Sequence, residues 1–565
     1  MQSVFENFKN IIKKELAILW IFSVLLGFSL IVLQNKSKLP LGKGDFVFIS
    51  ILALCITLYR PRWMFFLFVS LVPLENLILV SGFLPIQLRP YQFAGAILAG
   101  AMIILWVFKK LKSRLLRLSW FDWLIFSLVP FSFLSLINSP AKSIGLKNNL
   151  ILLSFVVLFY ITRNFISKRE DLLKTVIFFF GSNLVVLGYG FYQVFADKFG
   201  ASSFEVMFGR PNSVFTEPDW LGVFLCFSLA VLLSLLYFCH PERSRGIYSK
   251  NPMASHNVHT QIPPLRFASV GMTRILIYLL IFLNVTLLIL TLSRSAWIGT
   301  AAVIFFWLIL FSLYKKGESG IIFTPRLFAN NFIAIFLIAL LSLIVIHFGK
   351  LSKFDIFDRA RSTATSEQKI TIACNGNTDI PQVISNMDEL GKLNCRHINL
   401  EEIESYKSQG KFVTEIFRKD PNVLTRSQIY RKSFELIREH PILGVGFGTI
   451  TQKLGTDKRG AGLNESNIFL QVWSGSGILG LFAFTSGIIY LFIFSFRRIS
   501  PICPLNKIIG CPIVKDDSER YIHIFIFLGL VALIVPNLFN AGLFMGLFWL
   551  VLGIIVSIRM FVKNT

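Results

Sequence analysis

The chain alternates long apolar runs with short basic connections. A helix needs about 20 apolar residues to cross a bilayer. By that rule some fourteen segments qualify, near 16–33, 46–59, 63–80, 92–108, 119–137, 148–162, 173–195, 219–238, 275–292, 296–314, 328–348, 467–496, 521–539 and 541–560. The second is short and several junctions are tight, so the pattern allows twelve to fourteen spans. It predicts an all-α polytopic integral membrane protein. One interval breaks the rhythm: from about 350 to 465 the chain is polar, with no sustained helical or strand period. Stretches of that length are usually functional or disordered, and a merely solvated loop is the plainer reading. Within it, Ser427–Arg438 places apolar residues at helical spacing, with Pro441 beyond. This predicts an amphipathic helix lying along the membrane surface, with Arg431 and Arg438 on its solvated face.

Composition supports the membrane reading. Of 565 residues, 54% are hydrophobic and only 15% charged, which excludes an ordinary soluble domain. A net charge of +25 would suit nucleic acid, but the basic residues sit in short clusters between apolar runs. Lys9, Lys13 and Lys14 precede the first run, and Arg60 and Arg62 follow the second. Lys109, Lys110, Lys112 and Arg114 follow the fourth; Arg163, Lys168 and Arg169 follow the sixth. Arg497 and Arg498 follow the twelfth, and Arg559 and Lys563 close the chain. These clusters fall on alternate connections, so both termini are expected in the cytoplasm and the polar interval outside. No nucleic-acid partner is expected. The first run, from Leu16 to Leu33, is long enough to span and lacks a small-residue cleavage site.

The organisation expected is therefore N-terminal membrane helices over 1–195 and central helices over 196–348. A large extracytoplasmic loop over 349–465 and C-terminal helices over 466–565 complete it. The central part carries a cytoplasmic insertion, 239–274, that resembles a translated genomic repeat; 499–520 is a weaker candidate of the same kind. Of seven cysteines, Cys55 and Cys226 lie in apolar runs, while Cys374 and Cys395 are the pair in the polar interval. On an oxidising side these two are expected to form a disulfide. No Cys-x-x-Cys or His-x-x-x-His spacing suggests structural zinc.

Three arginines stand on the expected outer side, against the positive-inside trend: Arg89, Arg210 and Arg294. An arginine this close to hydrocarbon is costly unless it meets an anion or an acid. Its planar fork of donors suits phosphate oxygens; snorkelling to lipid headgroups is the alternative. His440-Pro441-Ile442-Leu443-Gly444-Val445-Gly446-Phe447-Gly448 is the densest local pattern. Its glycines suit a tight turn that lets backbone approach a site, or a phosphate-cradling nest.

Together these residues resemble a known family. Thr291-Leu-Ser-Arg294-Ser-Ala-Trp297, His440-Pro-Ile-Leu-Gly444-Val-Gly446, Glu465-Ser-Asn467-Ile-Phe-Leu470 and Gly477-Ile-Leu-Gly480 look like the O-antigen ligase and polymerase superfamily of bacterial inner membranes. The resemblance implies glycosyl transfer on the extracytoplasmic face, in lipopolysaccharide or exopolysaccharide assembly. The donor would be a saccharide on undecaprenyl pyrophosphate, and the acceptor lipid A-core or another lipid-linked glycan. Such a donor brings its own leaving group, so neither metal nor other cofactor is expected. Arg210 and Arg294 align with arginines the family uses, and Arg89 joins them as a candidate pyrophosphate ligand. The chain departs from the ligase pattern at Ser466-Asn467, where His-Asn is typical, and at Gly475, where a Glu is typical. Glu465 is the nearest replacement base, at the start of the following helix, where the dipole would favour its ionised form. His440 is the second candidate. Ser466, Asn467, Glu217, Gly444 and Gly446 are supporting positions. The rival reading is a transporter or flippase of lipid-linked oligosaccharides. A coupled carrier uses acids at mid-membrane, for which Glu75 is the clearest candidate and Asp122 lies near a helix end. A non-catalytic scaffold is a third reading.

Overall fold

The computed structural model describes residues 14–563 except 81, 83–86, 112–117, 202, 208, 239–264, 316–320, 366, 377–379, 386, 399–401, 457–461 and 500–516. Each of the fourteen apolar runs carries a helix. The first seven are α1 (Lys14–Asn35), α2 (Lys43–Tyr59), α3 (Pro61–Leu71), α4 (Pro90–Val107), α5 (Trp120–Leu134), α6 (Lys142–Phe165) and α7 (Arg169–Phe199). Next come α8 (Pro218–Phe238), α9 (Leu265–Leu290), α10 (Arg294–Ser312) and α11 (Pro325–Gly349). Prolines open α3, α4, α8 and α11, at the position where a missing N–H costs nothing because it would be unpaired anyway. Ser119 and Asp122 close α5 with a reciprocal capping box. Among the described residues, nine helices are long and apolar enough to cross a membrane, and four shorter apolar ones accompany them.

Two expectations need correction here. The run expected to span at 63–80 is helical only to Leu71. Beyond it Leu74, Leu77, Leu79 and Val80 are buried in irregular backbone, held by Leu41 N–H on the Leu79 carbonyl and Asn76 N–H on the Val214 carbonyl (both 2.8 Å). Glu75 therefore sits in a connection and not at mid-helix. The insertion expected at 239–274 is shorter at its end, because α9 begins at Leu265. Its 239–264 part lies outside the described residues, as do Lys9, Lys13, Lys112, Arg114 and most of the second candidate, 500–516.

The polar interval is not a structureless loop. It starts with α12 (Ile356–Thr365) and continues as a small α/β unit. After the short hairpin β1–β2 (Leu313–Lys315, Ile321–Phe323) between α10 and α11, the strands are β3 (Glu367–Cys374), β4 (Val383–Ile384), β5 (Cys395–Ile398) and β6 (Phe412–Lys419). They order β4-β6-β3-β5, with β3 antiparallel to both neighbours. Helices α13 (Asp388–Lys392) and α14 (Ile403–Ser408) lie between strands, and Ile370, Ile372, Ile384, Leu390 and Ile416 form a core of their own. Cys374 and Cys395 face each other in register across β3 and β5 and are disulfide-bonded. The amphipathic segment becomes α15 (Pro421–Glu439), burying Ile429, Leu436 and Ile437 along one stripe. After it come α16 (Thr449–Leu454), α17 (Ile468–Ile499), α18 (Asp517–Asn537) and α19 (Gly546–Lys563).

Candidate functional site

The glycine turn and a break in α17 are built against each other. At Gly477 the helix adopts φ 67° and ψ −173°, and Gly444, at φ 77°, approaches it so closely that a Cβ there would stand 2.5 Å from the Ser474 carbonyl. Only glycine tolerates both the left-handed backbone and the contact. The exposed Ser474 carbonyl accepts from Val445 N–H (2.8 Å) and Gly446 N–H (3.1 Å), satisfying groups that the helix break frees. Asn138 and Ser135 clamp the same pair of segments, through the Gly444 and Gly475 carbonyls. The Phe447 ring fills the space a side chain at 475 would need, which accounts for Gly475 where the ligase pattern has Glu.

Ser474 also faces the other way. Its hydroxyl donates to Glu465 Oε1 at 2.6 Å. Glu465 is 3% exposed and lines a cavity of about 240 Å³. It does not start α17 as expected: Asn467 caps that helix, accepting from Phe469 N–H (2.9 Å) and Leu470 N–H (3.1 Å). Burial dominates the Glu465 environment and pushes its pKa above the ordinary carboxylate value, against the opposing Ser474 bond. On the same cavity wall stand Glu75 and Arg89, an ion pair at 3.3 Å. Glu75 Oε1 further accepts from the Gly546 N–H (2.9 Å), tying the 72–89 connection to the start of α19. Asn148, Trp220 and Gln471 also line the cavity, with Thr216, Thr451 and Asn464.

A second charged group forms where the α/β unit meets the helices. The Thr291-Leu292-Ser293 turn, with Leu292 at φ 53°, delivers Arg294 as the first residue of α10. Arg294 Nη1 meets Asp420 Oδ2 at 2.9 Å, with Asp420 fully buried. Arg210 Nε donates to the Thr291 carbonyl (2.9 Å) and its Nη2 pairs with Asp219 (3.3 Å). Arg359, from α12, joins them. Ile356, one turn earlier, packs beside Leu290, and burial together with the charges of Arg294 and Arg210 brings the Arg359 pKa down to about 10.

Arg210 and Arg294 are thus brought together, while Arg89 lies with Glu75 on the cavity wall, to which neither of the others contributes. His440 is absent from that wall. It directly follows α15, and its carbonyl accepts the Gly444 N–H (2.9 Å), closing the turn. Gly446 belongs to the same turn at φ 83°. Ser466, at φ 50°, takes the Tyr430 hydroxyl on its carbonyl (3.3 Å). Asn467 is the cap described above, and the Glu217 carbonyl receives the first N–H groups of α8, from Trp220 and Leu221. Sequence reasoning missed Arg359, Asp420, Ser474 and the partnership of Glu75. Asp219 lies two residues from Glu217, which the sequence had offered as a supporting position.

The fold and these groups define a polytopic helical membrane protein with a polar cavity and a packed arginine–aspartate cluster at helix ends. Within the chain, residues 279–485 match the O-antigen ligase family. The match includes Arg294, Asp420, the glycine turn and Glu465; Arg89 and Arg210 lie before it. No curated protein matches the chain significantly. The family match supports a role in membrane glycan assembly.

Proposed function

We propose that the protein is a glycosyltransferase of the O-antigen ligase or polymerase type, working at the extracytoplasmic face of the bacterial inner membrane. The observation that carries this reading is Glu465, a carboxylate that is buried, oriented by Ser474 and lining a polar cavity beside Arg89. A raised pKa makes a carboxylate a stronger base once ionised. Glu465 takes the proton of an acceptor sugar hydroxyl while that oxygen attacks the donor's anomeric carbon. The bond from that carbon to the undecaprenyl pyrophosphate breaks, and the pyrophosphate leaves with the electron pair. Arg210, Arg294 and Arg359 stabilise the departing charge, which is positioning and electrostatics rather than further covalent chemistry. Glu465 is preferred to His440 because it faces the cavity.

The outer placement of 349–465 is supported by the Cys374–Cys395 disulfide, since such bonds persist in oxidising compartments. Reporter fusions at Gly410 and Thr565 should give opposite compartment signals, and a shared compartment would overturn it. The transporter reading has less support, because Glu75, its clearest mid-membrane candidate, sits in a connection paired with Arg89, and Asp122, near a helix end, pairs with Arg163 (3.0 Å). The decisive experiment is transfer in vitro from a purified undecaprenyl-pyrophosphate donor to lipid A-core or to a second lipid-linked glycan. Product on the first identifies a ligase and product on the second a polymerase. Absence of both, with donor moved across vesicles instead, would establish the rival.

A further inference from the structure

The cavity holds more chemistry than the transfer step uses. Glu75 is 3% exposed, and its bonds to the Gly546 N–H and Arg89 Nη1 take two of the roughly four lone-pair directions of a carboxylate. It remains on the cavity wall with acceptor capacity to spare. Asn148 and Gln471 add amides, and Trp220 adds an aromatic surface. A largely polar wall that also carries the Trp220 ring offers hydrogen-bond partners to the hydroxyls of a small sugar ring and an aromatic surface to its carbons. The wall's ionisable groups are two carboxylates, Glu75 and Glu465, and one guanidinium, Arg89. An anionic ring entering there meets like charge in a low-dielectric space; a neutral or amine-bearing ring does not.

We infer that this cavity is the acceptor-sugar subsite, that it takes a neutral or amino sugar rather than a uronate, and that Glu75 reads one of its hydroxyls. This rests on the transfer reading above. If Glu465 deprotonates the acceptor, the ring bearing that hydroxyl must occupy the cavity. The donor's pyrophosphate then belongs with Arg210, Arg294 and Arg359, none of which lines it. Arg89 orients Glu75 rather than gripping phosphate.

The test is sugar binding without donor. Full-length protein in nanodiscs is titrated with the methyl glycosides of glucose, galactose, glucosamine and glucuronic acid, and with mono-deoxy analogues, by saturation-transfer NMR. At least one neutral or amino glycoside should bind about 10-fold more tightly than the glucuronide. Removal of one particular hydroxyl should cost wild type about 10-fold, the size of one hydrogen bond to a charged group. In Glu75→Gln that penalty should shrink to about twofold. Equal or better binding of the glucuronide, no binding by any glycoside, or an unchanged deoxy penalty in Glu75→Gln would each overturn the inference. Should Glu75→Gln fail to fold, the wild-type comparison of neutral glycoside with glucuronide still decides. Because no donor is present, this pattern can stand while transfer fails, and transfer can succeed while the glucuronide is preferred. The two readings therefore fail separately.

Discussion

Two charged regions use the same residue types in opposite proportion. In the cluster beside α10, Arg210, Arg294 and Arg359 accompany two aspartates, Asp219 and Asp420, and Arg418 and Arg426 add further positive charge. In the cavity, two glutamates accompany one arginine. Excess guanidinium suits an anion; excess carboxylate suits hydroxyl and amine donors. Arginines that look equivalent along the chain are thus divided between two settings by which acids meet them. On the function proposed above, the same division would separate a leaving-group site from a nucleophile site.

The sharpest way to break this contrast is at Glu465. Glu465→Gln should lower transfer about 1,000-fold, or ~4 kcal/mol in barrier, within the range expected for a general base. Donor affinity, measured by equilibrium binding, should stay within about twofold. The pH profile gives the sign. With its pKa raised by burial, wild-type Glu465 is protonated and idle at low pH, so transfer should rise with pH through a value above that of an ordinary carboxylate. A flat profile, or near-normal transfer in the variant, would move the base elsewhere, with His440 the residue to test.

Asp420→Ala should act on the fold instead. It leaves Arg294, whose side chain is 13% exposed, without its carboxylate, a loss of about 3–5 kcal/mol for a buried pair. Thermal unfolding of the purified protein reads it, and an unchanged melting temperature would mean that the pair contributes little. Arg294→Lys keeps the charge and removes the fork, so transfer should fall about 100-fold, with donor affinity falling alongside. The smallest effect should come from Arg359→Gln, about 10-fold in donor affinity with acceptor affinity untouched. If acceptor affinity changes instead, the two regions are not the separate subsites described above.

Much of the framework could be read along the chain. Apolar length located all fourteen helices, because a helix satisfies its own backbone locally. The stripe at Ile429 and Leu436 announced α15, and Cys374 with Cys395 announced a disulfide that the β3–β5 register accommodates. Where reading failed, the reasons are physical. Residues 72–80 are as apolar as a span, but apolar composition reports burial and not helicity, and here irregular backbone is buried under neighbouring loops. Strand β3 showed no sustained alternation because every residue from Ile370 to Cys374 is buried, on one face of the strand as on the other.

What the sequence determined by itself is whatever depends on neighbours within a turn or two: helix placement, caps such as Ser119, glycines at forced backbone angles, and the alternation of basic clusters. Only the tertiary structure decided which charge meets which. Arg294 with Asp420, and Glu75 with the Gly546 amide 471 residues away, are contacts of about 3 Å. Ion pairs and hydrogen bonds fall off over a few ångströms, so their partners are set by how helices pack and not by position along the chain.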